Sequence, residues 1–114
     1  MVEYNTEQID NIFHALADPT RRNILFRLAR REQSVNEIAE PYEISLAAVS
    51  KHLKVLERAD LIVRRKEGRS FKCRMNYRPL EEAADLIGKY RAFWEERLDN
   101  LEQFLDESKK KKGD

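Results

Sequence analysis

The sequence predicts a mainly α fold with one small β-hairpin: five or so helices, the last of them long. Three observations predict it. Apolar residues recur at spacings of three and four over most of the chain, a single stretch from Ile62 to Met75 switches to a spacing of two, and only three Gly and three Pro interrupt 114 residues of which 38% are charged. Charged helices joined by short connections have this composition. At this length one domain with a modest core is expected, spanning residues 1–107, with 108–114 as a disordered basic tail. No run of even ten residues lacks a charge, so no signal peptide or membrane span is expected. The lone Cys73 excludes an intramolecular disulfide and fits a reducing, cytoplasmic setting.

The elements follow in order. A first helix over 6–17 places Ile9, Ile12, Phe13 and Leu16 on one face. Asp18-Pro19 ends it and starts a second, Asp18 as the cap and Pro19 at the first helical position, where no N–H is needed. In that helix Ile24, Leu25 and Leu28 point inward, and Arg21, Arg22, Arg27, Arg30 and Arg31 largely outward. Ser34-Val35-Asn36-Glu37 has capping-box spacing, so a short third helix begins there and bends or ends at Pro41. After a turn through Tyr42-Glu43-Ile44, Ser45 caps a fourth helix whose buried stripe is Val49, Leu53 and Leu56. Its opposite face carries Ala47, Ala48, Ser50, Lys51, Lys54 and Arg58. Beyond Ala59-Asp60 the hairpin closes at Glu67-Gly68, with Phe71, Cys73 and Met75 inward and Lys66 and Arg69 flanking the tip. From Pro79 an apolar stripe runs to about Glu107, and Gly88 leaves open a kink or two helices there.

Where the charge sits is more informative than the net +1. Residues 1–44 hold 5 Lys/Arg against 8 Asp/Glu, residues 45–78 hold 10 against 3, and residues 79–114 hold 7 against 10. A basic island between acidic flanks favours a polyanion at one surface. The island coincides with the fourth helix and the hairpin, a DNA-reading unit over 34–78 of the kind winged helix-turn-helix proteins carry. Small residues in the helix's leading turn permit close approach to base edges, while Ser50, Lys51 and Lys54 can donate to bases or phosphates. The cationic tip at Lys66 and Arg69 suits a minor groove or the backbone. A last helix over 79–107 would be about 40 Å long at 1.5 Å per residue, more than so small a domain covers, so its stripe is expected to meet a second subunit.

Ala15-Leu16-Ala17-Asp18-Pro19-Thr20-Arg21-Arg22-Asn23-Ile24-Leu25, Ala48-Val49-Ser50-Lys51-His52-Leu53-Lys54-Val55-Leu56 and Arg65-Lys66-Glu67-Gly68-Arg69 together resemble the ArsR-type family of bacterial and archaeal repressors. The resemblance spans about residues 9–105. It implies a homodimeric winged-helix repressor, a sequence-specific regulator on a near-palindromic operator in double-stranded DNA. Ser45, Ala47, Ala48, Ser50, Lys51 and His52 would face DNA, with Arg69 at the wing. First and last helices would form the dimer interface, through Ile9 and Phe13 and through Ile87, Tyr90, Trp94, Leu98, Leu101 and Phe104. Asp60 stands where the family usually has Gly, and it tolerates a left-handed backbone less well.

The family's metal sites are not matched. Ser34 and Asn36 stand where its Cys-x-Cys segment has thiolates, which soft metals require, and the last helix contains no His. His14 is expected half-buried near the dimer seam. The chain therefore resembles a metal-independent branch, with no metal or cofactor expected and no small-molecule effector named by its residues. Cys73 has no second Cys to resolve it and is expected to be buried filler. The alternative reading is a winged helix that docks an acidic protein. An enzyme is not expected, since neither a Gly-rich phosphate loop nor a Cys–His pairing is present.

Overall fold

In the computed structural model the chain is described over residues 6–112. The elements are α1 (Thr6–Leu16), α2 (Pro19–Arg30), β1 (Gln33–Ser34), α3 (Val35–Ala39), α4 (Leu46–Arg58), β2 (Ile62–Glu67), β3 (Ser70–Met75) and α5 (Arg78–Lys112). They form two compact units, one reaching to Ala83 and the other beginning at Ala84.

In the first unit, α1, α2, α3, α4 and the sheet enclose a core of fully buried Ile12, Ile24, Ile38, Val49, Leu53, Leu56, Leu61 and Cys73. The stripes read in α1, α2, α4 and the hairpin contribute to it. Ile9, expected at a dimer interface, is only 8% exposed and packs into this core. It lies one turn before Ile12 on the side of α1 that packs against α2 and α4. Phe13, on the flank of that stripe, remains exposed. His14 is exposed rather than half-buried.

The arginines of α2 do not simply face outward. Arg21 donates through Nε to the Ala15 carbonyl (2.9 Å) and through Nη2 to that of His14 (2.9 Å), and Arg22 donates to that of Leu16 (2.8 Å). Arg27 does the same for α3, reaching the carbonyls of Ile38 (2.7 Å) and Glu37 (2.8 Å) and the Gln33 side chain (2.9 Å). The last carbonyls of a helix lack partners within it and carry the negative end of its dipole, so a nearby guanidinium folds back onto them. Arg22, Arg30 and Arg31 stay exposed as expected, Arg31 pairing with Glu37 at 3.3 Å.

β1 has no counterpart in the sequence reading, because two residues are too few to show a period. It joins the hairpin in the order β1-β3-β2, all antiparallel, with Gln33 opposite Cys73 and Ser34 opposite Lys72. Ser34 then caps α3: its Oγ accepts from the Glu37 amide at 3.1 Å while the Glu37 carboxylate accepts from the Ser34 amide at 3.3 Å, the capping box expected. Phe71 departs from its expected burial. It shares a face with Cys73 but is 40% exposed near the hairpin tip, with the Arg64 guanidinium 5.7 Å from its ring.

α5 runs unbroken through Gly88, which settles the kink left open above. It also continues through Lys112, so residues 108–112 are helical and not a disordered tail; 113 and 114 lie outside the described residues. Lysine is a good helix former, and cations in a last turn complement the dipole. Within the second unit Ile87, Tyr90, Phe93, Trp94, Leu98, Leu101, Phe104 and Leu105 are all exposed. Phe93 meets Trp94 edge-on with centroids 6.2 Å apart, and Arg97 lies over Phe93 at 4.6 Å.

Asp18 caps α2 as expected, accepting from the Arg21 amide at 3.0 Å. That hydrogen bond, with the Arg21 charge adding to it against the cost of burial, holds the carboxyl below the usual aspartate range. A lowered folded-state value gives stability that is fully present above the unfolded aspartate pKa of about 4 and is lost as pH falls through the folded value. Asp18→Ala is expected to cost about 1 kcal/mol near neutral pH and to flatten the acid limb, measured by urea melts across pH. A mutant with an unchanged acid limb would contradict this assignment.

At the other end of α4, Asp60 has φ +57°, with the Leu61 amide on the Leu56 carbonyl (3.0 Å) and the Asp60 amide on that of Glu57 (2.9 Å). These are the two bonds of a Schellman motif, whose left-handed residue is usually glycine. Asp60→Gly is expected to raise stability by about 0.5–1 kcal/mol, read as a higher urea midpoint at constant slope.

Candidate nucleic-acid interface

α4 and the hairpin bring most of the expected residues to exposed positions. Ser45 is the N-cap of α4, its Oγ accepting from the Ala48 amide at 3.1 Å. The hydroxyl proton is still free to donate. Val49, Leu53 and Leu56 are fully buried, which turns Ala47, Lys51, Lys54 and Arg58 to solvent, while Ala48 and Ser50 are half-buried. Spacings of four, three and four line up the exposed residues along one side of the helix.

Two residues at the leading end were missed. Ile44 is 42% exposed and Leu46 52% exposed, immediately either side of the cap. Their apolar character hid them, because a hydrophobic residue beside a helix start reads as core. Exposed apolar side chains of this kind suit a methyl group such as that of thymine.

The hairpin closes one residue later than expected. Glu67 pairs with Ser70, leaving Gly68 and Arg69 as the two-residue loop, with φ +62° at Gly68. Glycine first is the type II′ pattern, whose twist matches that of the strands. Arg69 is therefore in the turn itself, with Lys66 one residue before the closing pair, and both are exposed.

Ion pairs divide the basic island. Arg64 lies 2.6 Å from Glu57, Arg65 is 2.7 Å from Glu32 and 3.3 Å from Glu67, and Lys72 is 3.6 Å from Glu67. Among the described residues no carboxylate partner is found for Lys51, Lys54, Arg58, Lys66, Arg69 or Arg74. Two of these pairs tie the hairpin to Glu57 and Glu32 and two lie within it on Glu67; the unpaired cations remain available to a polyanion.

His52 is placed differently from its neighbours. Its side chain is 23% exposed, with Nδ1 3.3 Å from Arg21 Nη1 and 3.9 Å from Asp18 Oδ2, so it leans on the start of α2 and is not in the exposed row. A residue one step past Lys51 sits about 100° further round the helix, which carries it to the edge of the buried side. Cys73 is buried, and that burial pushes its thiol pKa up, away from reactivity. Among the described residues there is no cluster of three or more His, Cys, Asp or Glu able to hold a metal ion.

Comparison with known proteins places this geometry. Residues 16–65 match the profile of the helix-turn-helix domain family. The chain is 33% identical over 75 residues to the transcriptional repressor SdpR of Bacillus subtilis, covering 66% of this chain and 83% of that protein. With the HTH-type transcriptional regulator Rv2034 of Mycobacterium tuberculosis it shares 48% identity over 59 residues, covering 52% of this chain and 55% of that protein. A crystal structure of an ArsR family transcriptional regulator superposes with a TM-score of 0.78 at 37% identity, covering 83% of this chain and 97% of that one. The chain belongs to the ArsR family. As an ArsR member it is a transcriptional regulator whose DNA-binding domain is a winged helix-turn-helix, with α3 and α4 as the helix pair and β2–β3 as the wing.

Proposed function

We propose that this ArsR-family regulator is a homodimeric repressor of a near-palindromic operator, α4 of each copy lying in a major groove. The unpaired row of Lys51, Lys54 and Arg58 on α4, with Lys66, Arg69 and Arg74 on the wing, carries the reading. Phosphates would be held by Lys54, Lys66 and Arg69, and bases approached by Ser45, Ala47, Ala48, Ser50 and Lys51. Ile44 and Leu46 add apolar contact, and His52 acts from its place against α2. Repression follows the relative named as a repressor and the simplest physical effect of an occupied operator, which is exclusion of other proteins.

The second copy is argued from α5. Ile87, Tyr90, Trp94, Leu98, Leu101 and Leu105 are exposed at spacings of three and four, with Phe104 beside them. Such a stripe reads as an interface, because large contiguous apolar patches are rare on monomers. Phe13 of α1 is the exposed aromatic that would join it; Ile9, already buried, is omitted. Metal-independent control is favoured by Ser34, whose hydroxyl is occupied by the capping box at the position where classical members carry a thiolate.

Duplexes selected from a random pool are expected to show two half-sites about 34 Å apart, with affinity falling steeply as salt rises. Lys51→Ala should weaken operator binding by about 1–3 kcal/mol while changing binding to scrambled duplex little, if Lys51 reads a base. Failure to select any duplex, or an affinity indifferent to salt, would refute the reading. Sedimentation at micromolar concentration should give the mass of two chains, and Trp94→Glu with Leu98→Glu should return it to one. A wild-type mass of one chain would remove the dimer.

A further inference from the structure

We propose that Arg21 is a positioning residue for DNA reading: it ties the end of α1 to His52 on the recognition helix and fixes the His52 ring with its proton on Nε2, as a donor to DNA. The inference rests on the reading of α4 as the helix that enters the groove.

The guanidinium of Arg21 is half-buried and held at three points. Nε and Nη2 donate to the Ala15 and His14 carbonyls at 2.9 Å each, and Nη1 lies 3.3 Å from His52 Nδ1. Guanidinium has donors only, so the third contact is a hydrogen bond only if Nδ1 presents its lone pair. The ring proton is then on Nε2. Asp18 Oδ2 is the competitor, since a carboxylate would prefer a proton on Nδ1, but at 3.9 Å it is beyond hydrogen-bonding distance. Its nearer commitment is to the Arg21 amide, at 3.0 Å. Two fixed carbonyls aim the planar fork at the ring, and a lysine, with a single point of charge, cannot hold all three.

The consequence falls on α4. His52 follows Lys51 directly, and its tautomer decides whether the free ring nitrogen donates or accepts. An Nε2–H matches an acceptor on the duplex, either a phosphate oxygen or a purine N7 or O6. The same bridge fixes α4 against α1, so the angle at which the recognition helix is presented depends on a residue outside the helix-turn-helix pair.

The test has two parts. Ring nitrogen spectra of DNA-free protein in alkaline buffer, with His14 and His52 told apart by H52F, should show wild-type His52 protonated on Nε2 and a mixture of tautomers in Arg21→Met. Affinity for the selected operator should fall roughly tenfold in Arg21→Met and in Arg21→Lys, while His52→Phe should make either change without further effect. Arg22 still caps the Leu16 carbonyl in these variants, and urea melts identify any that fail to fold, in which case Arg21→Lys carries the cycle. Equal losses on operator and scrambled duplex assign the acceptor to phosphate, and a loss confined to operator assigns it to a base. Wild-type His52 protonated on Nδ1, or additive losses in the cycle, would overturn the proposal. If no duplex binds wild-type protein, the proposed function fails, and the spectra still decide the tautomer.

Discussion

The carbonyls left over at the ends of α1 and α3 set the terms for the first unit. Both helices end at short connections, and α2 supplies side-chain donors to their last carbonyls beside the backbone amides of Ala17, Glu40 and Tyr42. Arg21 and Arg22 take the carbonyls of His14, Ala15 and Leu16; Arg27 takes those of Glu37 and Ile38. Charged hydrogen bonds of this kind contribute about 1.5–3 kcal/mol each where burial keeps water away, and less where it does not. The inner side of α2 meanwhile buries Ile24, Leu25 and Leu28. One helix is thus glued to the core by its apolar side and to two neighbouring helix ends by its cations, and α3 and α4 are held in relation to it.

This arrangement also marks what could be read from the sequence. Periodicity located α1, α2, α4 and the hairpin, because each buries one side and exposes the other. Caps located the starts of α2, α3 and α4, since Asp18, Ser34 and Ser45 bond amides only three residues away. What escaped depends on partners distant in sequence. Arg27 looks like a surface charge until Ile38, eleven positions on, turns out to be beside it. Gln33 and Ser34 become a strand only because Cys73 and Lys72 return alongside them. Ile9 and Ile12 lie on the same side of α1, and spacing alone could not tell a core contact from an interface contact.

Charge shows the same split between local and distant information. Counting residues found the basic island correctly, but not which of its cations were already engaged. Arg64 and Arg65 spend their charge on Glu57 and Glu32, bracing the hairpin against α4 and the segment before α3, while Arg65 and Lys72 also meet Glu67 within the hairpin. The exposed pairs of Arg65 and Lys72 contribute little stability singly, with medians of about 0–1 kcal/mol. Their effect is orientational: a wing held by pairs at its base presents Lys66 and Arg69 in a narrower range of positions. Specificity in a polyanion complex depends on such positioning more than on total charge.

The segment from Gln33 to Glu37 shows how the same residues constrain any signal. Ser34 belongs to the sheet and caps α3 at once; Glu37 closes the box on the Ser34 amide, which keeps its carboxyl below the ordinary glutamate range, and pairs with Arg31. Gln33 is buried and bonded to Arg27. The strand pairing, the capping box and the Arg27 cap all pass through these few positions. A ligand binding there would have to displace the capping box, the strand pairing or the Arg27 cap before gaining any contact of its own.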